Sequence, residues 1–334
     1  MKLSGKLKTL ADYLVAPPPV AMKASLRLDV DTRTLRRLDP GYGDFLVHPC
    51  VRYIPEGLGG HKWWMVVTPY PRTDVRYENP VLYHGEGNEN VPPVRWAFSG
   101  IVQDAYPTGY NADGNLFFDG KKLWIIWKED GTPDTTASSG HNRIMGRSFD
   151  GQAFGPVRKF CDNPDAQVNR ITAPTLLNVN GAVKCLATRY NGRTDDPVLP
   201  HGKSGLAVWR LEGKDLDSGR FVFERDADPD YPAGFDFWHA DFFEEKGRYY
   251  GVVTPENATR ILFGESEDGF SYRFGPKPVC SSGGNLYLGM YKASAVVVDG
   301  RIHVFFPRRS LTGRKSRLYC ASMGFDAFRR VLSR

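Results

Sequence analysis

The chain has no stretch approaching the roughly 20 consecutive apolar residues that a membrane helix requires, which excludes such a span. Cysteine is scarce. Cys50, Cys161, Cys185, Cys280 and Cys320 are far apart, odd in number and without CxxC spacing, which argues against a disulfide framework or a structural zinc site. Cys50, Cys185 and Cys320 lie in apolar runs, where a thiol serves as a small core side chain. The basic start, Met1 to Lys8, lacks an apolar segment, so no secretory signal is readable. The expectation is a cytoplasmic protein, with release by lysis, for example within a phage particle, as the alternative. No Gly-rich phosphate loop, serine nucleophile elbow or HExxH motif occurs, and kinase, α/β-hydrolase and zinc-protease readings lose their support.

Acidic residues are almost missing from the C-terminal end. Residues 301–334 hold nine Lys/Arg against Asp326 alone, so the net charge of +6 is concentrated there and the remainder sums to about −2. No recognition helix, zinc finger or RNA-binding signature accompanies this charge, so nucleic acid is not an expected partner and a solvated basic surface is. What the chain does have is 35 glycines, 24 prolines and 13% aromatic residues, a mixture that points to many short strands and turns.

A unit of roughly 60 residues recurs five times: a short apolar strand, a tight turn with glycine, and a second aromatic or β-branched strand. The second strands begin near Trp63, Leu123, Val183, Tyr249 and Ile302, each after a glycine (Gly60, Gly120, Gly181, Gly247, Gly300). Asp119-Gly120, Asn180-Gly181 and Asp299-Gly300 are dipeptides that supply the positive φ angles of two-residue hairpins. Third strands are predicted at about 79–84, 142–147, 205–210, 260–265 and 317–322. Antiparallel units at this period bury their faces only against neighbouring units, so the prediction is an all-β, five-bladed β-propeller over residues 41–334. A β-sandwich with insertions is the alternative, although it would not need regular spacing. Residues 1–40 fall outside the repeat and read as an N-terminal extension, with a short amphipathic helix over 6–15 ended by Pro17-Pro18-Pro19.

In a propeller the first strand of every blade lines the central channel, so the five strand starts converge. Here they contain His48, Tyr110 with Asn111 and Asp113, Thr172, Trp238 with His239 and Asp241, and Tyr291 with Lys292. His239 and Asp241 are two apart, as are Asn111 and Asp113, so each pair projects to one side of its strand. Glu78-Asn79 opens the third strand of the first blade and can reach the same mouth from its rim. Trp63, Trp64, Trp124 and Trp127 read as packing between blades. Trp96, Tyr106, Tyr110 and Trp238 read as loop aromatics able to stack on sugar rings. No metal ligands are assigned from spacing.

With these motifs in hand, residues 44–325 resemble the five-bladed propellers of the arabinanase, β-xylosidase and fructosidase type, and in particular a bacterial and phage branch of glycosidase-like propellers. The resemblance is carried by His48-Pro49 with Trp64 and Tyr70, Tyr77 to Pro80, Tyr110 to Asp113, Ala173-Pro174, Trp238 to Asp241 and Tyr291 to Ser294. Arabinanase-type enzymes place Asp, Asp and Glu on blades one, two and three. This chain offers His48, Asp113 and the Thr172 to Thr175 segment, so Asp113 alone matches. The resemblance implies glycoside hydrolysis of a bacterial or plant-type polysaccharide or oligosaccharide at the axis. Asp241 and Glu78 would be acid and base, with Asp113 orienting substrate or tuning a pKa. His48, Asn79, Tyr110, Asn111, Thr172, Trp238, His239, Tyr291 and Lys292 would contact sugar. No cofactor is required, and the resemblance allows a structural Ca2+ at the channel. A non-catalytic glycan-binding propeller of the tail or adhesin kind and a protein-interaction platform are the alternatives. Oligomerisation is left open.

Overall fold

A computed structural model describes residues 21–22, 25–38, 45–71, 74–87, 89–104, 109–131, 141–163, 169–191, 204–227, 229–232, 237–255, 260–281, 287–288, 290–310 and 315–332. Among these, five antiparallel sheets follow one another along the chain. Blade one is built from Leu46–Leu58, His61–Pro69, Val81–Gly85 and Arg95–Ile101; blade two from Gly109–Phe118, Leu123–Gly131, Asn142–Phe149 and Arg158–Asp162. Blade three comprises Asn169–Val179, Ala182–Asn191, Ser204–Glu212 and Arg220–Ala227. Blade four comprises Phe237–Glu245, Arg248–Pro255 and Arg260–Ser266 with short outer strands, and blade five Ser294–Val298, Arg301–Ser310 and Ser316–Gly324. No helix among the described residues is long and apolar enough to cross a membrane.

The turns follow local chemistry. Asn180-Gly181 and Asp299-Gly300 take positive φ at both positions, as a tight hairpin demands, and Lys246-Gly247 does the same without an Asn or Asp. Asp119-Gly120 departs from the two-residue expectation. Asp119 Oδ1 accepts from the amides of Lys121 and Lys122 at 2.9 and 2.8 Å, so a longer turn links Phe118 to Leu123.

Five apolar clusters lie between the blades, one at each junction. Trp64, Val66 and Leu82 of blade one meet Leu116, Ile125 and Trp127 of blade two. Trp124 and Ile126 meet Leu176 and Trp209 at the next junction, and Leu206 and Val208 meet Phe237 and Leu262 at the third. Val252 and Ile261 pack on Val304 and Phe306, and Trp63 and Met65 pack on Phe305 and Leu318, which closes the ring. Each sheet thus covers its faces with its neighbours, as a radial repeat requires. Trp63, Trp64, Trp124 and Trp127 are all buried there. Trp96 is also core: it is 1% exposed, on the fourth strand of blade one against Phe305, so it is unavailable as a sugar platform. Tyr106 and the helix predicted over 6–15 lie outside the described residues.

The ring is also closed by hydrogen bonds from the segment read as an extension. Leu26–Arg27 pairs with the outer strand of blade five, with Leu26 opposite Cys320, and Asp29–Val30 runs parallel beside Arg95–Ile101 of blade one. Leu28, between them, is buried. One short segment therefore ties the last blade to the first.

Candidate functional site

The innermost strands of blades one, two and three break register at the same place. The jumps fall between Val47 and Cys50, Ala112 and Asn115, and Thr172 and Thr175, so in each blade two residues oppose one. These are β-bulges, which re-aim a side chain out of the ladder. Their first residues, His48, Asp113 and Ala173, all sit at positive φ (54°, 60° and 50°), a conformation that costs an L-residue about 1–2 kcal/mol. Three equivalent strained positions around one axis mark a site, because such strain persists only where the surroundings over-determine it. Blade four has a smaller irregularity at Trp238, after which His239 points to the same axis.

The bulges bring together groups distant in sequence. Asp113 Oδ1 lies 3.1 Å from His239 Nε2 and 3.4 Å from His48 Nε2, and all three residues are buried. The donor atoms of His48, Asp113 and His239 lie within 4.8 Å of one another. The other carboxylate oxygen accepts from the Thr172 hydroxyl and the Ala173 amide, with Lys128 Nζ at 3.6 Å. Tyr291 backs both imidazoles, its ring 5.0 Å from His48 and 4.8 Å from His239. Burial drives both imidazoles below their ordinary pKa, with Asp113 opposing. Burial also works to raise the Asp113 pKa, but the imidazoles and Lys128 outweigh it and hold this carboxyl well below the carboxylate range.

Glu78 faces the opposite balance. Buried at 4% exposure, it makes no side-chain hydrogen bond among the described residues. Burial, reinforced by Asp113 and Asp130 and opposed by Lys128, lifts its carboxyl well above the usual value. Lys128 lies 3.0 Å from Asp130 and over the Tyr110 ring, while Asp130 also pairs with Arg170 at 2.8 Å and with Asn142.

Other predicted residues serve the framework. Asn111 meets Asn79 at 3.1 Å and accepts from Trp127 Nε1 at 3.0 Å, which secures the approach of Glu78 to the axis. Trp238 lies edge-on to His239 and is partly exposed at the rim. Asp241, read with Glu78 as an acid/base candidate, lies deeper. Its oxygens accept from Arg52 at 2.8 and 3.0 Å, Asn115 at 2.9 Å and Ser294 at 2.6 Å. Four donors fill the roughly four lone-pair directions of a carboxylate. Asn115 also reaches Thr175 at 3.3 Å, so Arg52, Asn115, Thr175, Asp241 and Ser294 form a clasp with one residue from each blade.

The His48–Asp113–His239 set has the character of a divalent-metal site. It offers two imidazoles and one carboxylate, a common ligand set for Zn2+ and related ions. Both ring nitrogens of His48 and Asp113 Oδ1 are buried without a hydrogen-bond partner, although they lie close together. Unpaired buried polar atoms are otherwise costly, and a cation held there would engage Asp113 Oδ1 and one ring nitrogen of His48.

No protein-family model matches the sequence, and no curated protein matches it. Solved structures do match in fold. An N-acetylgalactosamine deacetylase from F. plautii, in complex with blood group B trisaccharide, superposes with a TM-score of 0.71 at 16% identity, covering 93% of this chain and 97% of that one. The β-xylosidase RS223 gives 0.60 at 15% identity, covering 90% and 95%. The GH43_1 enzyme from Xanthomonas citri, complexed with xylotriose, gives 0.60 at 12% identity, covering 95% and 93%. The chain is a five-bladed β-propeller of the fold these enzymes share. The fold inferred from the repeat is thereby established.

Sequence reading missed Arg52, Lys128, Asp130 and Arg170. A signal existed for Lys128. The residues paired with the strand starts are Thr68 in blade one, Thr188 in blade three and Thr254 in blade four, and only blade two replaces threonine with lysine. Arg52 carried no such signal, because its partner Asp241 lies 189 residues further along the chain.

Proposed function

We propose that the chain is a carbohydrate-active hydrolase that uses a divalent metal at the axis to remove an acyl group from an N-acylated sugar. The observation that carries this reading is the convergence of His48 and Asp113, on strained bulges and with unpaired buried atoms, with His239 at the propeller mouth. A divalent ion, when bound there, supplies Lewis-acid polarisation of a carbonyl and makes water more acidic. The protein groups around it have separate tasks. Glu78, whose carboxyl burial lifts well above the usual value, donates a proton to the departing amine, and a group tuned in this way contributes about 10²–10⁴-fold to rate. Lys128 faces the same space and stabilises negative charge as it develops on the acyl oxygen. Trp238 and Tyr291 offer partly exposed aromatic surface to the apolar face of a sugar ring. The N-acetylgalactosamine deacetylase is, by its name, an enzyme on this fold that removes an acetyl group from an amino sugar, which supports the substrate class.

Glycoside cleavage is the second reading, favoured by one observation: Glu78 and Asp113 are carboxyls whose pKa values are pushed in opposite directions, the pattern of an acid and its partner. Against it, Asp241 is saturated by Arg52, Asn115 and Ser294, and the blade-three bulge carries Ala173. Product analysis separates the readings. The protein is incubated with acetylated amino-sugar oligosaccharides and with xylo- and arabino-oligosaccharides, with and without a chelator. Chelator-sensitive acetate release supports the deacylase. New reducing ends that resist the chelator refute it in favour of the glycosidase, and binding without either product leaves a lectin.

A further inference from the structure

We infer that Lys292 is a positioning residue, which reaches across the propeller axis from blade five and braces the blade-two bulge so that Asp113 is aimed at His48 and His239. Its functional consequence rests on the reading of that trio as metal ligands; its structural content does not. Lys292 is fully buried, a rare state for lysine unless its donors are engaged. Its Nζ donates to the main-chain carbonyls of Asp113 and Gly114 at 3.2 and 3.0 Å. Both carbonyls belong to the bulge between the Ala112–Lys128 and Asn115–Ile126 pairs, outside the regular ladder.

The need for a brace follows from what stands second in each bulge. Blades one and three have Pro49 and Pro174, whose rings restrict the backbone and leave no amide unpaired. Blade two has Gly114, and space explains it: a Cβ there would lie 3.0 and 3.2 Å from the Val66 methyls and 3.6 Å from Pro80. Glycine fits but leaves the backbone loose, next to an Asp113 that must hold φ 60°. Gripping both carbonyls from the far side of the channel supplies the restraint that proline supplies elsewhere. Lys292 therefore acts on the main chain of Asp113, not on substrate.

The test uses the full chain carrying Lys292→Met or Lys292→Ala. Crystal structures and Mn2+ titration calorimetry are obtained for each, and for the alanine variant also with added ethylammonium, which replaces the missing amine. In K292M, Asp113 is expected to leave the positive-φ region with its carboxylate off the imidazoles, and Mn2+ affinity to fall about tenfold or more, as for other groups that orient a ligand. Ethylammonium is expected to restore both in K292A. Should wild type bind no Mn2+ while K292M still loses the bulge geometry, the brace stands and the metal reading falls. An Asp113 that keeps its φ and its contacts in K292M overturns the inference. If K292M does not fold, failure of ethylammonium to restore K292A overturns it equally.

Discussion

Replacing Arg52 with methionine asks whether the five blades are clasped at the axis. Asp241 is inaccessible to solvent and receives two of its four hydrogen bonds from Arg52, whose side chain is 15% exposed. Removing one partner of a buried ion pair strands the other charge and destabilises by about 3–5 kcal/mol. Asn115 and Ser294 remain as donors, so the lower end, about 3 kcal/mol, applies here. At roughly 2 °C per kcal/mol for a chain of this size, the melting temperature should fall by about 6 °C at pH 7. The pH dependence has a definite sign. Although burial opposes it, Arg52 depresses the Asp241 pKa in the fold. The stabilisation is therefore fully present above the unfolded carboxyl value of about 3.9 and is lost as pH falls through the folded one. Scanning calorimetry from pH 7 to pH 3 should show the wild-type and R52M curves converge in acid. A gap under about 2 °C at pH 7, or one that widens in acid, refutes the clasp. The variant D241N supplies the control: loss of turnover with unchanged melting would make Asp241 a catalytic group after all.

Other outcomes follow from the same geometry. Burial, helped by Asp113 and Asp130, raises the Glu78 pKa, so wild type should lose stability as pH climbs above the unfolded value of about 4.3 toward the folded one; E78Q should not, and denaturant titrations at pH 5 and 8 compare them. The same variant should lose about 10²–10⁴-fold in turnover, read as product release. Ala173→Gly relieves the left-handed strain and should stay within about 1 kcal/mol of wild type, whereas Ala173→Val should lose about 1–3 kcal/mol in urea; the reverse order contradicts the bulge. Deleting residues 1–28 strips the outer strand from blade five and the buried Leu28, and should leave an aggregation-prone edge detectable by light scattering.

The clasp and the metal trio differ in how far the sequence announced them. His48, Asp113 and His239 could be named in advance because each stands at a strand start in the repeat, and the repeat itself dictates that strand starts meet. Their use as one ligand set was not legible, since it depends on the bulges at His48 and Asp113 and the smaller irregularity before His239, and a bulge leaves no mark beyond a following proline or glycine. Asp241 shares the His239 strand, yet two residues of pleat put it one layer deeper, beside Arg52 instead of the mouth. Trp96 looked like a loop aromatic because its strand begins after a Pro-rich turn; only the closure of blade five on blade one buries it.

The amino-acid order alone determined the number of blades, the place of most hairpins and the ring of polar strand starts, because these depend on local periodicity and turn chemistry within some sixty residues. Tertiary structure decided which carboxyl is lifted by burial, which is lowered by its neighbours and which is saturated by donors. Those outcomes depend on distance and burial among groups contributed by different blades, and no pattern along a single strand encodes either.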